Sequence, residues 1–509
     1  MSFLEHMPIW PILIPMIGGL LMLLPPFAGV ERYQSRRYFA AILVFLQLVC
    51  GLLLLNSVIA SENLLYAVGN WQPPFGIILY VDPLAALLVC LTSFLGIGVV
   101  LYSFAGEDRA GRYYHPLLQF QILGINGAFL TNDLFNLFVF FEVLLIASYS
   151  LLIHAGAKQK TEAAVHYVIL NLIGSSIFLF ALGTMYGAVG SLNIADIAMK
   201  MSSLSDSDTL LANIAGALLL VVFGLKSAML PLHFWLPKTY SAASAPIAAL
   251  FAIMTKVGIY CIFRVYTTIY GEFAGSLSDF VAPIIWPLAL ASIVAGTIGV
   301  IVSPTLRGMT GNLVVVSVGT LLIAFALRSP EASGAAFYYL IHSTLASAAL
   351  FLLAEMIGQQ RGKALDRFVV SRKLKNQTFL GFCFFVAAMM AAGLPPFSGF
   401  LGKLVILQAA VTTQEKIWVY SALLISSLVT IIAFSRAGTT LFWRHSGNKG
   451  VNDSPDITHW QKAGMLTLLA AGPLLAFGGE HMLALTAIAA SDLHNVSGLI
   501  ELMGLGGEQ

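Results

Sequence analysis

The chain has 509 residues, of which 58% are hydrophobic and only 10% charged, where an ordinary soluble domain carries about a quarter of its residues as Asp, Glu, Lys and Arg. That composition excludes a water-soluble enzyme, a disordered or collagen-like chain and a disulfide scaffold. A net charge of +2 without a clustered basic face also argues against a nucleic-acid binder. What remains is a polytopic protein of the lipid bilayer, with apolar sequence for many crossings at about 20 residues each.

In chain order, fourteen apolar segments are predicted as spanning helices: 8–28, 38–60, 83–105, 116–131, 134–154, 163–189, 210–236, 245–270, 280–302, 310–327, 334–357, 379–408, 417–443 and 462–489. No strand-length alternation recurs, so the predicted class is an all-α polytopic membrane protein. The first segment has no basic residue before it and reads as a first transmembrane helix, not a cleavable leader. Segment 61–82, with Trp71, Pro73 and Pro74, reads as a folded surface loop or a hairpin. Cys50, Cys90, Cys261 and Cys383 lie far apart in apolar runs, without the spacing of a zinc site or a disulfide framework.

The charges outside the segments set an orientation. Connections after odd-numbered helices hold seventeen Lys and Arg, from Arg32 to Lys449, against three (Lys200, Arg328 and Lys416) on the other side. The positive-inside rule then puts the odd connections in the cytoplasm and both termini outside.

Charges inside the segments are the chemical signal. A lone charge at mid-bilayer costs roughly 2.5–3.5 kcal/mol on insertion scales. Glu142 in helix five, Lys226 in helix seven, Lys256 in helix eight and Lys403 in helix twelve nevertheless sit at similar depth. Static pairing of Glu142 with one lysine accounts for one lysine but not three, so proton transfer is the preferred reading. His342 in helix eleven, and less firmly His233 beyond a break in helix seven, can carry protons between such sites; His166 reads as packing. Arg264 and Arg436 lie nearer helix ends, where reaching the interface suffices. Glu355 and Glu480 have no role assigned from sequence.

Two helices look broken, the seventh by Pro231 and Pro237, the twelfth by Pro395 and Pro396 within Gly393-Leu394-Pro395-Pro396-Phe397-Ser398-Gly399. Helices 4–8 and 9–13 form two sets of five, an odd number that inverts the second set. Breaks at corresponding places in such halves point to inverted repeats around a transport site, with a plain proline kink as the simpler reading. The expected divisions are 1–115, 116–270, 280–443 and 444–509. There is no GxxxxGK[ST] loop, no GxGxxG opening a helix after a strand, no CxxCH and no HExxH. No cofactor, metal or enzymatic reaction is expected, and the driving force must be an ion gradient or a redox partner in another chain.

The run Phe135-Asn136-Leu137-Phe138-Val139-Phe140-Phe141-Glu142-Val143, then Lys226-Ser227-Ala228-Met229-Leu230-Pro231-Leu232-His233-Phe234-Trp235-Leu236-Pro237, then the helix-twelve motif, resembles the proton-translocating antiporter-like subunits. That family includes large membrane subunits of respiratory complex I and subunits of the Mrp monovalent cation/proton antiporters. The length and the Phe-rich run make the chain most similar to the D-type Mrp subunits. The resemblance implies fourteen helices in two inverted five-helix units and a central polar axis onto which Glu142, Lys226, Lys256, His342 and Lys403 fall. It also implies the other Mrp subunits (A, B, C, E, F and G) as partners, with H+ and Na+ or another monovalent cation as substrates. One complex I subunit has glutamate where Lys403 stands, and the quinone-proximal one lacks the helix-five glutamate. The expected mechanism is a switchable Glu142–Lys226 ion pair that releases a proton through Lys256 and His342 to Lys403. A proton-pumping subunit of complex I or of a membrane-bound hydrogenase is the alternative, and a non-conducting membrane scaffold the distant one.

Overall fold

The computed structural model describes residues 3–28, 32–60, 63–154, 156, 158–446 and 454–505; Lys449 of the basic connections lies outside the described residues. A 3-10 turn, Phe3–Ile9, opens α1 (Trp10–Leu23), and a short α2 (Pro25–Ala28) precedes α3 (Tyr33–Ala60). The expected loop is a hairpin: β1 (Leu64–Ala67) pairs antiparallel with β2 (Ile78–Val81), Leu64 opposite Val81 and Ala67 opposite Ile78. Then come α4 (Pro83–Ser103), α5 (Tyr114–Leu130), α6 (Leu134–Leu152), α7 (Lys158–Val189), α8 (Ile194–Lys200), α9 (Asp206–Ser227) and α10 (Trp235–Ala242). The rest is α11 (Ala245–Phe251), α12 (Met254–Thr268), α13 (Ala282–Val302), α14 (Leu306–Ala326), α15 (Pro330–Arg361), α16 (Gln377–Ala392) and α17 (Ser398–Ala409). Last are α18 (Thr413–Gly438) with a π turn to Trp443, α19 (His459–Phe477), α20 (Gly479–His494) and α21 (Val496–Leu502).

Among the described residues, ten helices are long and apolar enough to cross a membrane, or eleven if the α19–α20 pair, bent by 87°, is one span. The segments 8–28, 116–131 and 379–408 are helical but stand apart from these for local reasons. The first and last yield shorter apolar helices, and α5 has 17 residues that include His115, Gln119, Gln121 and Asn126. Local sequence explains where many helices start. Asp82, Asp133, Ser205, Thr305 and Ser329 each accept a backbone N–H of the first turn of the helix they precede.

Burial separates centre from rim. The span Ala245–Thr268 is buried throughout, while only a third of Thr413–Trp443 is. Outward-facing Phe180, Phe382 and Leu428 give the rim an apolar surface, as a lipid-facing wall requires. All four cysteines are free and buried. In the connection before α5, the Asp108 carboxylate is buried yet held below its usual pKa. Burial opposes its charge, but hydrogen bonds from Arg37 (2.6 and 2.7 Å) and His115 (3.3 Å) outweigh that.

Arg264 corrects the sequence reading. It does not reach for the interface: it is buried on α12, with its guanidinium ion-paired to Asp82 and its Nε donating to Tyr260 Oη at 3.1 Å. Removing one partner of a buried pair leaves an uncompensated charge, which costs about 3–5 kcal/mol. Arg264→Leu is therefore expected to lower the thermal unfolding temperature of the purified protein sharply. An unchanged melting profile would show that the pair contributes nothing.

Candidate functional site

Two helix breaks build the site. α9 stops because Ala228 takes φ 60°, a left-handed conformation that costs a non-glycine residue about 1–2 kcal/mol. Polar groups around this break find protein partners: Trp235 Nε1 donates to Leu225 O at 3.2 Å, and Leu230 N donates to Ser292 Oγ at 2.9 Å. The second break repeats the device with Gly393 at φ 80° after α16. Here the lysine itself completes the cap, since Lys403 Nζ, on α17, donates to Ala392 O at 3.0 Å and to Ser427 Oγ of α18 at 2.8 Å.

The other ionisable groups have similar surroundings. Glu142 on α6 is partly buried and accepts a hydrogen bond from the Ser175 hydroxyl of α7. Lys226, in the last turn of α9, is 5% exposed and donates to Asn171 Oδ1 of α7 at 3.1 Å. Asn171 and Ser175 are one turn apart and share a face of α7, so one stripe holds both the carboxylate and the amine. The expected direct Glu142–Lys226 ion pair is not formed in this structure; each group has a neutral partner instead, with Glu142 within electrostatic reach of Lys226.

Lys256 is fully buried on α12 and donates to Ser317 Oγ of α14 at 2.7 Å. His342 on α15 meets Ser398 Oγ of α17 through Nδ1 at 2.8 Å and lies within electrostatic reach of both Lys256 and Lys403. The helices concerned pack in the order α6, α7, α9, α12, α14, α15, α17, α18. The five residues Glu142, Lys226, Lys256, His342 and Lys403 thus follow one line of neighbouring helices across the buried centre.

Gly258 sets the spacing between the Lys226 and Lys256 sites. A Cβ there would lie 2.7 Å from Ser227 N and 3.0 Å from Lys226 C, backbone atoms that cannot swing away. Overpacking of this kind typically costs about 1–3 kcal/mol. Gly258→Ala is expected to lower the thermal unfolding temperature by pushing α12 off α9, and an unchanged melting profile would show that the contact is not needed.

Other candidates fall elsewhere. His233 is only partly buried, and its buried Nδ1 has no hydrogen-bond partner. Pro231, Pro395 and Pro396 are exposed in the breaks, while Pro237 lies inside α10 and packs on Gly311 of α14. Glu355 pairs with Arg307, Glu480 is exposed beside the α19–α20 bend, Arg436 donates to Ile301 O, and His166 meets Phe234 edge-on. Sequence reasoning missed the neutral partners Asn171, Ser175, Ser317, Ser398 and Ser427. The available signal was a hydroxyl or amide inside an apolar run, which many spans contain. Among the described residues no cluster of His, Cys, Asp and Glu could hold a metal ion.

Residues 131–430 match the family described as NADH:quinone oxidoreductase/Mrp antiporter, TM. The D-type subunit of a probable K(+)/H(+) antiporter from Rhizobium meliloti (strain 1021) is 37% identical over 475 residues, which cover 87% of this chain and 88% of that one. The D-type subunit of a Na(+)/H(+) antiporter from Bacillus subtilis (strain 168) is 34% identical over 505 residues, 98% of this chain and 99% of that one. Among solved structures, a chain of the Mrp complex from Dietzia sp. DQ12-45-1b superposes with a TM-score of 0.86 at 26% identity, covering 99% of this chain and 100% of its own.

Proposed function

The chain belongs to the NADH:quinone oxidoreductase/Mrp antiporter transmembrane family, and we propose that it is the D-type subunit of a multi-subunit monovalent cation/proton antiporter, moving protons along Glu142, Lys226, Lys256, His342 and Lys403. It acts as a transporter subunit in a bacterial cell membrane, with both termini on the extracytoplasmic side. Fourteen crossings, arranged as three leading helices, two inverted five-helix units and a closing helix, hold this axis. The matching left-handed residues at 228 and 393, each ending a half-helix beside a buried lysine, support the repeat.

One observation carries the proton reading. Among the described residues none of the ion pairs includes Lys226, Lys256 or Lys403, although all three are buried. Helix assembly gains nothing from a buried amine without a counter-charge, because desolvation is then uncompensated. Neutral partners suit a proton carrier for a chemical reason. A serine hydroxyl accepts from an ammonium and donates to the lone pair of a neutral amine. Each serine-bound site can therefore keep a hydrogen bond whether loaded or empty, Ser317 by turning its proton from Val314 O to the amine, and a proton can leave without stranding its donor. Asn171, through its amide oxygen, favours the loaded form of Lys226.

Glu142 supplies the bias. Swung onto Lys226, its carboxylate stabilises the ammonium; held on Ser175, it leaves the amine freer to pass its proton to Lys256, then through His342 to Lys403. The other Mrp subunits couple this switch to the movement of the cation. The relatives' names divide between K(+)/H(+) and Na(+)/H(+), so the assigned substrates are H+ and a monovalent cation, Na+ or another. The test is Lys403→Ala in the intact complex, followed as cation-dependent pH change in membrane vesicles. Antiport should fall about tenfold or more with the complex still assembled, and transport at the parental rate would discard the reading.

A further inference from the structure

Between α16 and α18 lies a groove of about 1090 Å³ that runs toward the Lys403 end of the polar axis. Its walls are apolar, formed by residues such as Phe384 and Phe385 of α16 and Ile431 and Phe434 of α18. Phe385 is 60% exposed, so the groove opens toward whatever surrounds the chain. Its mouth is different. Lys373 and Lys375 line it just before α16, and the exposed indole of Trp443 stands at the same end. Lys375 reaches Asp456 at 2.7 Å, whereas exposed Lys373 makes no ion pair among the described residues. A third cation is close, with Lys462 Nζ 5.6 Å from the centre of the Phe379 ring that also lines the groove. No side chain caps the start of α16.

We propose that this groove binds one anionic phospholipid, its phosphate against Lys373, Lys375 and the start of α16, its acyl chains running along Phe384 and Phe385 toward Leu394. Three arguments select a lipid over a protein segment. Charge and hydrogen-bonding groups gather at one end and apolar surface at the other, which is the polarity of a phospholipid. Basic pockets at the cytoplasmic ends of spans attract anionic headgroups, each Lys or Arg strengthening the attraction, and indoles favour the same headgroup level; the basic connections assign this end to the cytoplasm. The length also fits. The 16 residues of α16 rise about 24 Å, close to the roughly 20–22 Å from headgroups to midplane in one leaflet.

The far end of the groove gives the lipid a consequence that rests on the proton reading above. Ala392 and Leu394 line it, and Ala392 O is the carbonyl that holds Lys403. Acyl chains ending there fill the space beside the helix break and keep water from reaching Lys403 sideways.

The experiment uses the intact complex, stripped in detergent, returned to phosphatidylcholine vesicles containing phosphatidylglycerol, and purified again with its bound lipid counted by mass spectrometry. The double variant K373Q/K375Q is expected to retain at least about tenfold less phosphatidylglycerol than the parent. Equal retention overturns the site, as does a density map of the complex that shows a partner subunit's helix in the groove. Proton leak in cation-free vesicles separates the two parts of the proposal. A faster leak in pure phosphatidylcholine supports sealing; lost retention with unchanged leak upholds the lipid site and overturns sealing. Retention is independent of whether Lys403→Ala stops antiport, and the leak tests sealing where that variant does stop it.

Discussion

Lys256→Met is expected to lower cation-dependent proton movement by about a hundredfold or more, the scale on which a positioned proton carrier contributes, while the complex still assembles. The substitution separates function from structure because of where Lys256 lies. It is fully buried, and its amine is held by Ser317 Oγ at 2.7 Å. Methionine matches the length and flexibility of the side chain without its charge. Replacing a buried ionic group by an apolar one of similar volume is often neutral or stabilising. A scaffold would therefore tolerate the methionine or gain from it, whereas a relay loses the site between Lys226 and His342. Full-rate antiport in assembled Lys256→Met complexes would remove this residue from the path.

Glu142→Gln is expected to slow antiport about tenfold or more without loosening the fold. The glutamine carbonyl can still accept from the Ser175 hydroxyl that now binds Glu142, so what disappears is the charge. Glu142 and Lys226 act as one switch in this account, and their effects should not add. The double variant Glu142→Gln with Lys226→Met is expected to be no slower than the slower single variant, since groups working as a unit are strongly non-additive. Losses that multiply would show two independent contributions.

The candidate axis was legible because charge is rare in apolar sequence. Glu142, Lys226, Lys256 and Lys403 stand out by the cost of placing them in lipid, and Pro231, Pro395 and Pro396 mark the breaks by the backbone donors they remove. Less visible was what holds each group. Ser317, for example, donates to its own Val314 O, as hydroxyls inside helices commonly do with a nearby carbonyl. Only folding brings its oxygen to Lys256, 61 positions away. A still longer separation, 182 positions, hid the partner of Arg264, since Asp82 is the N-cap of another helix. Glu142 and Lys226 were expected to touch because opposite charges attract, but two polar residues on one face of α7 bind them separately. The break expected within 379–408 falls where its glycine and prolines stand: Gly393 ends the first half-helix and Ser398 starts the second.

The most direct test is a density map of the assembled complex sharp enough to place water. Protons can pass between Lys226, Lys256, His342 and Lys403 only along hydrogen-bonded atoms, so ordered waters should connect these side chains through the serine and asparagine partners. Apolar side chains filling every interval, with no water between the amines, would contradict proton transfer along this axis.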